Sequence, residues 1–305
     1  MLTTGCAGNV RVMMSELEQQ TKSIELVDTP FYPQITDQCG PSALAAILNV
    51  TGVNVTPSVL KSSIYIPDRQ GSLQLEMLAA TRSYQRIPYT LDPDVKTLVS
   101  ELQAGRPVLV LQNLGSSFAP VWHYAVVVGY LPDEKRFVLR SGDQERLRVK
   151  ASTFIRSWRR ADYWAFVALK PGTVPDNADV AKYLSALAAF ESTGGNANTI
   201  AAYEAAVVKW PENTLAQLGL GNAYYAVGQL ERAQAVYTSL LRTDQHNAIV
   251  LNNLAQVLAE QGAHSNAVQT IDTALSVADI GSPTYRLILQ TREEISMQSH
   301  APQER

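Results

Sequence analysis

One cysteine of this chain stands where a helix is predicted to begin. Cys39 opens the segment CGPSALAAILNVTG, whose small and apolar residues predict a helix that ends near Gly52. Pro41 falls in the first turn, where a helix tolerates proline. Unpaired amide groups and the helix dipole at such a start stabilise a thiolate and lower the thiol pKa from about 8.5. The stretch alone leaves two alternatives, a nucleophile or a small buried apolar residue.

A cysteine nucleophile needs a base, normally histidine, which the fold rather than the sequence brings close. Three of the four histidines belong to the C-terminal part, namely His246, His264 and His300. His123 lies in the N-terminal part and begins the apolar segment HYAVVVGYL. A histidine at the start of a buried strand can point into a cleft. We therefore expect His123 to act on Cys39, and the alternative is a core histidine.

The elements around these two residues predict an α+β domain. Apolar residues at helical spacing predict helices over residues 39–52, 56–64, 71–85 and 94–105. Apolar runs predict strands over residues 107–114, 123–131, 136–142 and 163–170. The segment PDEK between the second and third strands is typical of a hairpin turn. Helices followed by an antiparallel meander are the α+β arrangement.

The C-terminal part of the sequence repeats itself every 34 residues. Residues 171–179, with two prolines and one glycine, predict a linker before this part. Three sets of residues follow the period: Tyr203, Tyr237 and Ile271; Ala206, Leu240 and Ala274; and Gly194, Gly228 and Gly262. This period is the tetratricopeptide pattern, and Leu220, Gly221 and Tyr224 carry its signature intact. We expect an all-α solenoid over residues 180–296, with a C-terminal capping helix and a concave groove.

The first domain resembles a known family. Its Cys-Gly-Pro-Ser-Ala-Leu motif, with an upstream glutamine and a later Trp-His-Tyr-Ala-Val-Val-Val, is similar to the bacteriocin-processing (double-glycine-type) papain-like cysteine peptidases. The resemblance covers residues 28–170, and that family also occurs fused to tetratricopeptide repeats in bacterial lipoproteins. It implies a helix with the nucleophile at its start, packed on an antiparallel sheet that carries the histidine. Cys39 would be the nucleophile, and His123 the general base and later the acid.

The resemblance also implies an oxyanion glutamine and a third catalytic residue. The glutamine usually stands six residues before the nucleophile, where this chain has proline; Gln34 stands five before it and is preferred to the adjacent Gln38. The family commonly has an aspartate at the end of the next strand, where this chain has Ser141. Either Asp143 reaches back through a turn, or Ser141 or a backbone carbonyl orients the imidazole.

Other residues are candidates for the substrate cleft. Gly40 would let a substrate backbone approach the nucleophile, Trp122 would form a wall, and Gln74 would contribute a polar group. Packing explains Trp122 equally well, and the start of a helix explains most of the segment around Gln74. The first domain contains one expected free cysteine and one histidine, and no glycine-rich phosphate loop, so we expect neither a metal nor a cofactor.

The N-terminal segment indicates a lipid anchor. The sequence MLTTGCAG resembles the end of a bacterial lipoprotein signal with Cys6 as the lipidated residue, and residues 1–27 would then form a tether. The basic and apolar regions of such a signal are missing, because five residues precede Cys6; either translation starts upstream or the match is coincidental. We expect a lipoprotein of the bacterial cell envelope that faces the periplasm. A disulfide between the two cysteines is the alternative.

Composition excludes several function classes. The net charge of −3 gives no electrostatic reason to expect nucleic-acid binding. No apolar run reaches the roughly 18 residues that span a bilayer, so we expect membrane contact only through Cys6.

The sequence predicts a thiol-dependent peptidase that forms a thioester, or a transpeptidase or amidase with the same residues. The repeats would recruit a protein partner or substrate. The alternative is a catalytically degenerate papain-like scaffold for protein–protein interaction.

Overall fold

The computed structural model describes residues 22–33, 38–69, 71–193 and 197–300. Within these residues, no helix is long and apolar enough to cross a membrane. The chain divides into two units. One contains the chain up to Lys170 together with Pro175–Lys182, and the other contains Pro171–Val174 and the chain from Tyr183 onward. The predicted linker, 171–179, is thus shared between the two units.

The first unit is built on an antiparallel sheet with the strands β1 (Ile24–Glu25), β2 (Ile87–Thr90), β3 (Val108–Asn113), β4 (Trp122–Leu131), β5 (Arg136–Ser141), β6 (Gln144–Lys150) and β7 (Ala165–Leu169). Their order in the sheet is β2-β7-β3-β4-β5-β6, with β1 paired to β4. The helices are α1 (Cys39–Val50), α2 (Pro57–Ile64), α3 (Gln74–Ser83), α4 (Val95–Gln103) and α5 (Ala151–Arg159), with a 3-10 turn at Pro67–Arg69. These elements confirm the predicted α+β class.

Helix α1 is the central helix of this unit. Every residue from Gly40 to Leu48 is buried, because the run ALAAIL presents apolar side chains all around the helix. One sheet face, which includes Tyr124, Val126 and Val128, belongs to the same apolar core as α1. The helix that begins with Cys39 is therefore fixed against β4, the strand that contains His123.

Four elements of the first unit were not predicted from the sequence, namely β1, β2, β6 and α5. Strand β6, QERLRVK, is mostly exposed and lies at the sheet edge. Its alternating charges are a common protection of edge strands, and they hide the apolar pattern on which the prediction depended. Helix α5 interrupts the expected meander between β6 and β7. As a result, β7 joins the opposite side of the sheet, between β2 and β3.

The segment before the nucleophile is tied to β5 by a buried arginine. The Arg140 guanidinium donates to the backbone carbonyls of Val27 and Thr29, at 2.9 and 3.1 Å, and also to that of Glu145. Carbonyl oxygens thus satisfy the buried cation. Strand β1 approaches β4 at Gly129, where a Cβ atom would lie 2.5 Å from the Ile24 carbonyl oxygen.

The second unit is a stack of helices that confirms the predicted repeats. Its helices are α6 (Val180–Glu191), α7 (Ala197–Lys209), α8 (Thr214–Ala226), α9 (Leu230–Thr243), α10 (Ala248–Glu260), α11 (His264–Val277) and α12 (Pro283–His300). Asn213 and Asn247, which are 34 residues apart, cap α8 and α10 by accepting hydrogen bonds from backbone amides. At Gly221, a Cβ atom would lie 2.5 Å from the Tyr237 ring. The repeat signature therefore records close packing of α8 on α9.

Candidate active site

Cys39 is the first residue of α1 and is half-buried. The helix begins here because the Gln38 carbonyl accepts the Ser42 amide at 3.0 Å, while Pro41 brings no amide hydrogen to the first turn. Among the described residues, Cys39 forms no disulfide bond. The start of a helix is a position that favours the thiolate form.

Gly40 is buried and packs against Ser72. A Cβ atom at Gly40 would lie 2.7 Å from the Ser72 Oγ and 3.0 Å from its Cβ, closer than real Cβ atoms normally come. Gly40 therefore lets the segment before α3 approach the nucleophile. This packing role differs from the expected contact with a substrate backbone.

A cavity of about 600 Å³ opens beside Cys39. Its walls include Ser72 and Gln74 from the segment that enters α3, and Trp122 and Tyr124 from β4. Two of the predicted cleft residues, Gln74 and Trp122, thus share one cavity with the nucleophile candidate. Its volume is within the usual range of ligand-binding pockets.

Tyr124 was missed by the sequence reasoning, which treated it as part of an apolar strand. Its hydroxyl donates to the Ser72 carbonyl at 3.1 Å and holds this wall of the cavity in place. Burial raises the pKa of Tyr124, and the nearby Cys39 and Glu76 raise it further. The phenol is therefore neutral at physiological pH and remains a hydrogen-bond donor.

His123 lies between Trp122 and Tyr124 in β4 and is bonded to Ser141. Its Nε2 and the Ser141 Oγ are 2.8 Å apart. Either ring tautomer allows this bond, because a hydroxyl can donate or accept. With Nε2 engaged by the serine, Nδ1 is the second ring nitrogen. Among the described residues, Trp122 and Tyr124 line the cavity beside Cys39, and His123 does not. Burial lowers the pKa of His123, so the ring favours its neutral, basic form.

Asp143 does not take the position of the third residue. The register pairs Val126 with Arg140 and would bring position 143 opposite His123 if β5 continued. Instead β5 ends at Ser141, which pairs with Gln144 across a two-residue hairpin loop. Asp143 is exposed in that loop. A carboxylate at the imidazole would raise its pKa, so the lowered pKa of His123 agrees with a hydroxyl partner.

Three other predictions concern the oxyanion and anchor residues. Gln34 and Cys6 lie outside the described residues. Gln38 is half-buried directly before α1, and its side chain does not cap the helix.

Within the part of the chain that the structure describes, no group of three or more His, Cys, Asp or Glu side chains could hold a metal ion.

Comparison with known families agrees with this architecture. Residues 26–166 match the model of a family described as Peptidase_C39 like family. The first domain resembles the C39-like peptidases. Residues 218–283 match a tetratricopeptide repeat model. No curated protein matches this chain.

Solved structures are similar to each part of this C39-like and repeat-containing chain. The peptidase domain of the Streptococcus transporter ComA is 21% identical and covers 46% of this chain and 98% of its own, with a TM-score of 0.38. A double glycine motif protease from an AMS/PCAT transporter, in complex with the leader peptide, is 18% identical. It covers 49% of this chain and 98% of its own, with a TM-score of 0.37. The TPR2B domain of yeast Sti1, in its complex with pHsp70, is 16% identical and covers 39% of this chain and 97% of its own, with a TM-score of 0.36.

Proposed function

We propose that the C39-like domain is a cysteine peptidase with Cys39 as its nucleophile and His123 as its general base. One observation carries the proposal: the thiol at the start of α1 opens into a cavity of about 600 Å³ formed in part by β4, the strand that contains His123. A structural cysteine needs neither the helix start nor the cavity. The match of residues 26–166 to the C39-like family supports the same class of reaction.

The proposed reaction has two stages. The Cys39 thiol gives its proton to His123 Nδ1, and the sulfur attacks the amide carbonyl carbon to form a tetrahedral oxyanion. The C–N bond then breaks, the leaving amine takes the proton from His123, and a thioester remains. In the second stage, His123 removes a proton from water, the hydroxide attacks the thioester, and the Cys39 thiol is restored as the carboxylic acid leaves.

Ser141 has a limited role in this scheme. Its hydroxyl bonds to Nε2 of the ring. We propose that Nδ1 turns toward the thiol for catalysis, with Ser141 in the orienting role that an asparagine has in other papain-like sites. A hydroxyl does not stabilise an imidazolium as a carboxylate does. We therefore propose a resting pair of neutral imidazole and thiol, whose reactivity rises with pH. Gln34 is proposed as the oxyanion donor, and Gln38 is the alternative.

A thiol-reactive probe tests the peptidase. Iodoacetamide labelling of Cys39, followed by peptide mass spectrometry, would be measured from pH 5 to 10 in the wild type and in His123→Ala. We expect labelling that is measurable at pH 6, that rises with pH through neutrality, and that His123→Ala loses at pH 6. A Cys39 that reacts only above about pH 8.5, the value of an unperturbed thiol, would overturn the proposal. Cys39→Ser serves as the control for label on Cys6.

The second candidate is a scaffold without catalytic activity, and the observation that favours it is the serine at position 141. Trapping on Cys39→Ala separates the two candidates, because an inactive peptidase retains uncleaved substrate whereas a scaffold retains the same partners as the wild type.

Addition of an amine such as glycinamide distinguishes hydrolysis from transfer. A transpeptidase yields the amide product, and a peptidase or amidase yields the acid.

We also propose that the repeats bind a protein partner or the substrate protein. The repeat family and its stacked helices support this role. Cys6 is proposed as the site of a lipid anchor that holds the protein in the bacterial cell envelope. Metabolic labelling with an alkyne fatty acid tests the anchor: wild type should carry the label, and Cys6→Ser should not.

A further inference from the structure

The cavity beside Cys39 combines apolar walls with one charged residue. Leu73, Leu111 and Trp122 contribute apolar side chains to the lining, and Ala161 and Asp162 also line the cavity. Among the described residues that line the cavity, Asp162 is the only one with a formal charge. Ser72, Gln74 and Tyr124 add polar groups to the lining, so the cavity suits a ligand that combines an apolar side chain with a positive group.

Asp162 has a carboxylate that the protein leaves to solvent. It is exposed, and within the described chain no hydrogen bond or ion pair involves its side chain. Arg160, two residues before Asp162 in the sequence, has a different partner. Its guanidinium donates to the Asn113 carbonyl at 2.6 and 3.1 Å. Among the described residues, Arg160 therefore forms no ion pair with Asp162.

The backbone holds Asp162 in an uncommon conformation. Asp162 and Tyr163 have φ values of 51° and 54°, in the left-handed region that non-glycine residues rarely adopt. The turn is closed by hydrogen bonds from their amides to the Arg159 and Trp158 carbonyls, each 3.1 Å. The Tyr163 ring also packs edge-on against the fully buried Trp158, with 5.1 Å between centroids. Such backbone strain persists where the surroundings determine it, and it is common at ligand sites.

The apolar wall is partly uncovered. Trp122 is 55% exposed and Leu73 is 41% exposed, although both line the cavity. Exposed large apolar side chains that are grouped around a cavity are typical of a binding site. A bulky apolar side chain of a substrate would cover them, whereas a pair of glycines would leave the cavity unfilled.

We propose that the substrate is a peptide that places a large apolar residue in this cavity and a neighbouring lysine or arginine against Asp162. This inference rests on the proposed function, since it describes the substrate of the same thiol. Asp162 is a specificity-determining residue here and takes no part in proton transfer. Its fixed turn makes the carboxylate available without rearrangement when the substrate binds.

Peptidyl vinyl sulfones test the proposal. The Cys39 sulfur adds to the vinyl group and the thiol proton moves to the neighbouring carbon, so intact mass reports the reaction. Four acetylated probes would be compared: Lys-Phe, norleucine-Phe, Glu-Phe and Lys-Gly, each with the second residue next to the sulfone. We expect Lys-Phe to react about two- to fivefold faster than norleucine-Phe, the range for an exposed ion pair. The advantage should fall at high salt.

Variants of Asp162 assign the effect. Asp162→Asn keeps the side-chain shape and the tolerance for positive φ, and it should remove the preference for lysine. Asp162→Lys should favour Glu-Phe instead. Asp133→Asn, which changes an exposed aspartate in the hairpin turn between β4 and β5, should leave the ratios as in the wild type.

Two results would overturn the substrate class: an unchanged lysine preference in Asp162→Asn, or equal rates for Lys-Gly and Lys-Phe. A failure of every probe to alkylate Cys39 would count against the peptidase instead. In that event, calorimetry with the amide forms of the four peptides and Cys39→Ala decides the substrate class by itself. Tighter binding of Lys-Phe that Asp162→Asn abolishes would support it, and equal binding of all four would refute it.

Discussion

Two glycines, one in each unit, show how differently the two halves of this protein are built. Gly40 makes room for Ser72, and Gly221 makes room for the Tyr237 ring. The first contact joins separate segments of a mixed α+β domain beside a reactive thiol. The second joins successive helices of a repeat. A missing side chain therefore shapes a chemical site in one unit and provides packing stability in the other.

Hydrogen bonds show the same difference. In the C39-like unit, the Tyr124–Ser72 and Arg140–Val27 bonds join residues 52 and 113 positions apart. In the repeats, the Tyr237 hydroxyl donates to Asn222, which is 15 positions away. A site built from distant segments depends on the whole domain, whereas a repeat depends mainly on its neighbours. The comparison predicts that substitutions in the first unit change reactivity and substitutions in the second change stability.

The largest effect is expected at His123. His123→Ala removes the general base, and the rate of vinyl sulfone addition to Cys39 at pH 7 should fall about 10²- to 10⁴-fold. Thermal unfolding of the variant should stay close to that of the wild type, which circular dichroism would check. A variant that unfolds early but reacts normally would reverse the distinction between the two units.

Substitution of the two glycines tests the comparison directly. Gly221→Ala forces a methyl group against the Tyr237 ring and should destabilise the repeats by about 1–3 kcal/mol. Hydrogen exchange of α8 and α9 would measure this loss, and Tyr237→Leu in the same chain should recover part of it.

Gly40→Ala gains helix propensity of about 1 kcal/mol, which offsets its clash with Ser72. We expect Gly40→Ala to have near-normal stability and slower labelling of Cys39. An equal loss of stability in Gly40→Ala and Gly221→Ala would contradict the comparison.

Ser141→Asp should give the third largest effect. A carboxylate in place of the hydroxyl raises the pKa of His123 and stabilises the imidazolium. The thiolate–imidazolium pair should then become the resting state. Labelling of Cys39 at pH 6 should rise about tenfold, which corresponds to about 1.4 kcal/mol. Ser141→Ala is the matched control and should react more slowly than the wild type. Asp143→Ala should behave as the wild type, because Asp143 is exposed in the hairpin loop.

The smallest effect concerns stability and pH. Burial lowers the pKa of His123 in the folded protein, so the unfolded chain binds the proton more readily. Stability is therefore complete above about pH 6.5, the value of an unperturbed histidine, and decreases as the pH falls through the folded pKa. The loss should be about 1 kcal/mol or less. Urea unfolding between pH 5 and 8 should show a smaller loss in His123→Gln than in the wild type.

Local patterns in the sequence determined much of this protein. The helix that starts at Cys39, the apolar strands β3 and β4, and the 34-residue repeats all follow from periodicity, which acts over neighbouring residues. The sequence also identified Cys39 and His123 as the candidate pair, because no other histidine lies in the first domain. Strand β6 escaped this reasoning because its charged, exposed sequence carries little apolar signal.

Only the tertiary structure decided what surrounds the two candidates. The end of β5 at Ser141 gives His123 a hydroxyl partner and leaves Asp143 in an exposed loop. The approach of Ser72 to Gly40 forms one wall of the cavity, and the turn after α5 brings Asp162 to it. These contacts depend on strand register and on packing between segments far apart in the chain, which no local pattern of residues records.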